Sequence, residues 1–190
     1  MPRIRDSGMP SLELWEGFFD APGILEAMGC DRCADVLEFG CGYGTFAVAA
    51  ARRVSGTVYA LDIDPLMVRA THERAQRARL ANLIAAERDF LTLGSGRPAQ
   101  SVGFAMLFNI LHAEQPVALL REAHRVLHPK GRAAVIHWKH TSTPRGPPLE
   151  IRPRPEQCRE WARQAGFVSA RDVELPGTPW HWGVMLERGG

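Results

Sequence analysis

Val36-Leu-Glu-Phe-Gly-Cys-Gly-Tyr-Gly-Thr-Phe46 is the most informative run in the chain. Val36 to Phe39 reads as a short buried strand. Three glycines follow on alternate positions, Gly40, Gly42 and Gly44, and the Ala-rich stretch from Thr45 to Arg53 then reads as a helix. Glycine has no Cβ, so the backbone can turn tightly and come close to a ligand at those points. A strand that feeds such a turn and a helix builds a nucleotide-type pocket at the strand's carboxyl end.

The same βα rhythm continues downstream. Thr57 to Asp62 reads as strand two, and Asp64-Pro65 opens a helix running to about Arg79, with Asp as cap and Pro in the first turn. Asn82 to Arg88 is a weak third strand. Val102 to Phe108 is a continuous apolar run, the pattern of a strand buried on both faces. Pro116 to Leu127 is an amphipathic helix stopped by His128-Pro-Lys-Gly131, and Arg132 to Trp138 is strand five. Pro144, Pro147, Pro148 and Pro153 mark 139–154 as a long loop, a length typical of lids and binding loops. Pro155 opens a last helix, with Cys158, Trp161, Ala162 and Ala165 on one face and Gly166 at its end. Val168 to Leu175 and His181 to Glu187 are too close in sequence for a helical crossover, so they pair as an antiparallel hairpin. Upstream, Ser11 to Gly29 reads as helical, interrupted near Pro22-Gly23. The expectation is an α/β fold: a Rossmann-like doubly wound seven-stranded sheet, mostly parallel with an antiparallel terminal hairpin. It forms a single domain over 1–190, with an N-terminal helical cover (1–34) and the Pro-rich loop (139–154).

Composition narrows the class. With 190 residues and a net charge of +2, no basic stripe marks a nucleic-acid partner. The N-terminus has no apolar core of a signal peptide, and no run of about 18 apolar residues occurs, so the expectation is a cytoplasmic protein with no membrane partner. Of the four cysteines, Cys30 and Cys33 form a C-x-x-C without the second pair that a closed zinc site wants, and they precede the first strand. Reduced, structural cysteines and no metal are expected.

The glycine spacing excludes two nucleotide loops. A dinucleotide fingerprint, G-x-G-x-x-G, would place its third glycine one position later, and no Gly-Lys-Ser/Thr follows to make a P-loop. Asp62 ends strand two, where a carboxylate can accept both hydroxyls of a ribose. Asp89 ends strand three, suited to an exocyclic adenine amine, with Phe90 beside it. Glu38 suits a cationic ammonium or a backbone bond that shapes the loop. This arrangement resembles class I S-adenosylmethionine-dependent methyltransferases, small-molecule type, from about Trp15 to Arg188. Glu38 to Gly44 looks like that family's first motif, Ala60 to Pro65 like its second, and Leu107-Phe-Asn-Ile-Leu-His112 like the strand-four motif beside the methionine end. The resemblance implies S-adenosylmethionine held by Glu38, Gly40, Cys41, Gly42, Gly44, Asp62, Ile63, Asp89, Phe90 and Asn109, and methyl transfer to a small-molecule substrate. The competing readings are a non-catalytic protein that binds the same cofactor and a nicotinamide-dependent oxidoreductase. The early third glycine and the terminal hairpin oppose the second.

Methyl transfer is an in-line displacement in which alignment supplies roughly 7–11 kcal/mol, and a base adds about 10²–10⁴-fold when the nucleophile carries a proton. The base candidates are His112 after strand four, His137 and His140 after strand five, and His181 at the hairpin's end, with His112 the best placed. Trp15, His137, Trp138 and Arg152 are the acceptor-side candidates, the arginine as a clamp for a carboxylate or phosphate. Phe18, His140 and His181 fall near the same end of the sheet.

Overall fold

A computed structural model describes residues 10–30 and 35–190; Cys33 of the C-x-x-C lies outside them. The helices are α1 (Leu12–Glu16), α2 (Ala21–Ala27), α3 (Thr45–Arg53), α4 (Pro65–Arg77), α5 (Phe90–Leu93), α6 (Pro116–Val126) and α7 (Pro155–Ala165). The strands are β1 (Val36–Phe39), β2 (Val58–Asp62), β3 (Leu83–Glu87), β4 (Val102–Phe108), β5 (Leu127–Trp138), β6 (Ser169–Val173) and β7 (His181–Glu187). They form one seven-stranded sheet in the order β3-β2-β1-β4-β5-β7-β6. The first five strands are parallel, and β7 inserts antiparallel between β5 and β6. The expected α/β sheet and its terminal hairpin are therefore the observed ones.

Strand alternation divides the core in two. Val36, Phe104, Met106 and Ile136 point to the side covered by α2, α3 and α4; Leu37, Phe39, Leu107 and Val135 point to the side covered by α6 and α7. Central strands that are covered on both faces must be apolar throughout, and all four residues of β1 are buried, Glu38 among them. That single carboxyl among apolar neighbours already marks the carboxyl end of β1 as unusual. Among the described residues, no helix is long and apolar enough to cross a membrane.

Three elements depart from the sequence reading. The N-terminal helix breaks at Gly17 to Asp20 rather than at Pro22-Gly23. Asp20 caps α2 by accepting from the Gly23 amide at 3.2 Å, and Pro22 sits in the first turn, where its missing N–H is harmless. Strand β5 begins at Leu127, which pairs with Val102, and Lys130 relieves the local register shift by taking φ +64. The expected stop at His128–Gly131 is thus an irregular start of the strand. The short α5 was not foreseen; the Asp89 carboxylate starts it by accepting from the Thr92 amide at 3.1 Å.

The glycine loop is packed as tightly as its composition demands. Gly44 has φ +77, and a Cβ there would stand 2.7 Å from Thr71 Oγ1 and 2.9 Å from its Cγ2. Thr71 is buried and β-branched, so it has little room to yield. Gly44→Ala is expected to lower stability by about 2–4 kcal/mol, from left-handed strain together with overpacking. Urea unfolding would measure it, and a midpoint within error of the wild type would contradict this packing.

Candidate functional site

The loop after β1 is built by backbone bonds to β2. The amides of Gly40 and Cys41 both donate to the Leu61 carbonyl, at 2.8 and 2.9 Å, which turns the chain sharply at the sheet's edge. Asp62 then completes the cradle. Its Oδ2 accepts from the Gly42 amide at 2.8 Å and its Oδ1 from the Asp64 amide at 3.0 Å. Burial pushes its carboxyl above the usual range, while those two amides pull the other way. Each oxygen keeps a further lone pair, so the group can hold the loop and still accept from a ribose. The Cys41 thiol lies 3.5 Å from Thr71 Oγ1 and 3.8 Å from the Gly42 carbonyl, and burial raises its pKa well above the ordinary value, so it is a packed, protonated group.

Two buried polar groups sit at the carboxyl ends of the paired strands β1 and β4. Glu38 is 2 % exposed, and its Oε2 has no partner. Burial, then the nearby Asp62 charge, raise its carboxyl well above the usual range, against the opposing amide of Ala47. Asn109 follows β4 with φ +56, and neither its Oδ1 nor its Nδ2 has a partner. Buried groups of this kind cost about 1–3 kcal/mol each when unpaired, so a native structure holds them for a reason. An S-adenosylmethionine molecule fits that reason: it brings a ribose, an ammonium and a sulfonium cation, and a cation beside Glu38 favours the charged carboxylate.

The other expected cofactor contacts divide. Ile63 is half-buried next to Asp62, open to a base stacked there. Asp89 uses one oxygen as the α5 cap and retains the other. Phe90 is a correction. Its ring is buried and packs edge-on against Phe39 at 5.4 Å, inside the core on the α6/α7 side, so its side chain does not wall the adenine.

Above the ends of β4, β5 and β7 lies a cluster of rings. Phe18 meets Trp138 at 5.2 Å, and Trp138 meets His181 at 4.0 Å. Phe19 joins Trp15 (4.9 Å), Phe46 (5.1 Å) and His181 (4.6 Å). Trp15, Phe18 and Trp138 were foreseen; Phe19, Phe46 and Phe108, which meets Phe46 at 4.5 Å, were not, because apolar residues at helix and strand positions read simply as core. His181 is 3 % exposed with both ring nitrogens unpartnered, and burial, then Lys139 and Arg152, depress its pKa to about 3. The α1 segment is fastened over the glycine loop: Tyr43 Oη donates to the Pro10 carbonyl at 2.9 Å, and Arg74 joins the Tyr43 carbonyl (3.0 Å) to the Glu16 carboxylate.

Two acceptor-side expectations are corrected. Arg152 is not a clamp. Its guanidinium donates to the carbonyls of Pro147 (2.6 Å), Lys139 (3.1 Å), Thr141 (3.1 Å) and Arg145 (3.2 Å) and to Thr143 Oγ1 (2.6 Å). All three guanidinium nitrogens are engaged in folding the Pro-rich loop, and a single N–H on Nη2 is left over, so the side chain serves the loop first. The loop then lies so close to Trp138 that a Cβ on Gly146 would meet the indole at 2.8 Å. Arg152→Met is expected to lower stability by about 2–4 kcal/mol and to open 139–152 to proteolysis; cleavage no faster than in the wild type would refute the fastening role. His137 is likewise no acceptor contact. It is fully buried, stacks on Trp182 at 6.0 Å, and bonds through Nε2 to His112 Nδ1 at 3.0 Å. His112 itself is buried and lines a cleft of about 500 Å³ with His140, Glu150, Arg154 and Trp161. Among the described residues, no group of three or more His, Cys, Asp or Glu is placed to hold a metal.

The chain matches the sequence model of a methyltransferase domain family over residues 36–131. A ribosomal protein L11 methyltransferase from Chloroflexus aurantiacus is 40% identical over 62 residues, which are 33% of this chain and 18% of that protein. The chain thus spans about a fifth of the curated relatives it matches. Among solved structures, a SAM-dependent methyltransferase from Aquifex aeolicus superposes with a TM-score of 0.81 at 26% identity, covering 90% of both chains. A putative type 11 methyltransferase from Sulfolobus solfataricus shares the fold, with a TM-score of 0.67 at 23% identity, over 88% of this chain and 90% of that one. The matched domain holds the glycine loop, Asp62, Asp89 and Asn109 together, and the chain belongs to the class I methyltransferase family whose cofactor is S-adenosylmethionine.

Proposed function

We propose that this chain transfers the methyl group of S-adenosylmethionine to a small-molecule acceptor at the carboxyl ends of β4 and β5. The observation that carries the reading is the pair of buried, incompletely paired groups, Glu38 and Asn109, flanking the glycine loop. Asp62 would take the ribose hydroxyls, Glu38 the cationic end, Asn109 the methionine portion, and Ile63 and the free oxygen of Asp89 the adenine. The bound cofactor supplies an activated methyl on a sulfonium. The chain's own residues supply alignment and exclusion of water, which account for most of the rate in such a displacement. Trp15, Phe18 and Trp138 would wall the α1 side of the acceptor space, and His112, which lines the cleft beside α7 and the Pro-rich loop, would be its base.

A small acceptor is favoured by the enclosure. The rings of Phe18, Phe19, Trp138 and His181 pack against one another, and a site walled by such rings suits a small acceptor. The likeness to ribosomal protein L11 methyltransferases spans a small part of those proteins and brings no acceptor with it. The test is incubation with methyl-labelled S-adenosylmethionine and either an ultrafiltered metabolite extract or the retained protein fraction. Label in the small-molecule pool supports the proposal. Label in protein alone replaces the acceptor class, and binding of S-adenosylhomocysteine without label in either pool favours a non-catalytic role.

A further inference from the structure

The hydrogen-bond partners of the buried histidine pair behind the cleft imply one proton arrangement. His137 Nδ1 lies 3.4 Å from the Trp138 carbonyl, which can only accept, so that nitrogen carries the hydrogen. His137 Nε2 is then a lone pair, and the His112 Nδ1 that sits 3.0 Å from it must be the donor. The hydrogen of a neutral His112 is thereby placed on Nδ1, and Nε2 is left unprotonated. The His137 ring lies nearly parallel to Trp182, at an interplanar angle of 26° and a centroid distance of 6.0 Å. Complete burial, then the neighbouring His112, depress its pKa well below the ordinary value, so it remains an uncharged acceptor. The two rings meet edge to face, at 74°, which suits a ring nitrogen donating into the plane of its partner.

We propose that His137 is a positioning residue that fixes His112 as its Nδ1–H tautomer, so that His112 offers Nε2 as the base for a protic acceptor, an O–H or N–H nucleophile. The proposal rests on reading the end of β4 as the site of methyl transfer. A base is needed only when the nucleophile has a proton to lose, so an ordered base excludes the aprotic acceptors, thioethers and tertiary amines, as the substrates this pair serves. In the step, the acceptor's oxygen or nitrogen forms a bond to the methyl carbon as the carbon–sulfur bond breaks. That bonding pair stays on sulfur, leaving a neutral thioether. The acceptor's proton passes to His112 Nε2, and the resulting imidazolium keeps its Nδ1–H bond to His137.

Nitrogen NMR of the full chain labelled with ¹⁵N-histidine tests this without knowledge of the acceptor. At neutral pH the wild type should show His112 protonated on Nδ1 and unprotonated on Nε2. His137→Gln, whose carbonyl oxygen can accept, should preserve that tautomer, and His137→Leu should release His112 into a mixture of both. An Nε2–H tautomer in the wild type overturns the proposal, and so does an undisturbed Nδ1–H tautomer in His137→Leu. Should the leucine variant not fold, the wild-type spectrum decides alone. Calorimetry with S-adenosylhomocysteine on the same samples separates the two readings: loss of binding refutes the cofactor site, whereas binding with the wrong tautomer refutes only the role of His137.

Discussion

Asp62→Ala is expected to weaken S-adenosylhomocysteine binding by at least ~100-fold, because the carboxylate has two tasks at once. It holds the glycine loop through the amides of Gly42 and Asp64, and in the proposed site it accepts from the ribose. Hydrogen bonds to a charged group are worth about 1.5–3 kcal/mol each, so two lost ribose contacts account for roughly 3 kcal/mol or more, a factor of at least 100 in affinity. The loop adds to this. Gly42 has φ +52 and keeps its conformation partly through the Asp62 bond, so the alanine variant must order the loop at the moment of binding. Asp62→Asn separates the contributions. Its single carbonyl oxygen can satisfy one of the two amides, while its NH₂ must face the other donor. The asparagine variant should therefore bind weakly and also lose thermal stability. Isothermal titration with unchanged affinity in Asp62→Ala would sink the ribose assignment.

How far the sequence carried the site follows from which interactions are local. The glycine loop was legible because positive φ at Gly40, Gly42 and Gly44 demands glycine, and the demand is written at fixed spacing. Asp62 was legible because its partners lie on the loop that its own strand supports. Arg152 was not, because its acceptors are backbone carbonyls spread from Lys139 to Pro147, and no side-chain pattern records which carbonyls a loop will turn inward. His137 was placed on the correct strand but assigned the wrong task. Strand alternation puts neighbouring residues on opposite faces, so Trp138 points to the α1 side and His137 to the α6/α7 side, behind His112 rather than into the acceptor space. Phe90 failed for a related reason. A ring next to a candidate adenine contact reads as a wall, yet the α5 turn capped by Asp89 swings it into the core.

Acid should expose His181. A histidine buried in neutral form binds fewer protons in the folded than in the unfolded chain, so stability falls as pH falls below the unfolded value. The stabilisation is complete above about pH 6.5, and with a folded pKa of about 3 the loss continues down to that pH. At 1.36 kcal/mol per unit, the loss attributable to this one group reaches roughly 3 kcal/mol by about pH 4.5. Glu38 acts with the opposite sign. Its carboxyl is raised, so the cofactor-free protein gains stability from that group as pH falls toward its unfolded value. The two are separated by substitution. His181→Phe keeps a ring between Trp138 and Phe19 and removes two unpartnered nitrogens. The variant should be more stable than the wild type at pH 7 by about 1–3 kcal/mol, and its advantage should widen by a further ~3 kcal/mol toward pH 4.5. Chemical denaturation across this range reads both numbers. Parallel pH profiles for the two proteins would mean that His181 gains a proton without leaving its site, and that the ring cluster admits water or a charge that its packing argues against.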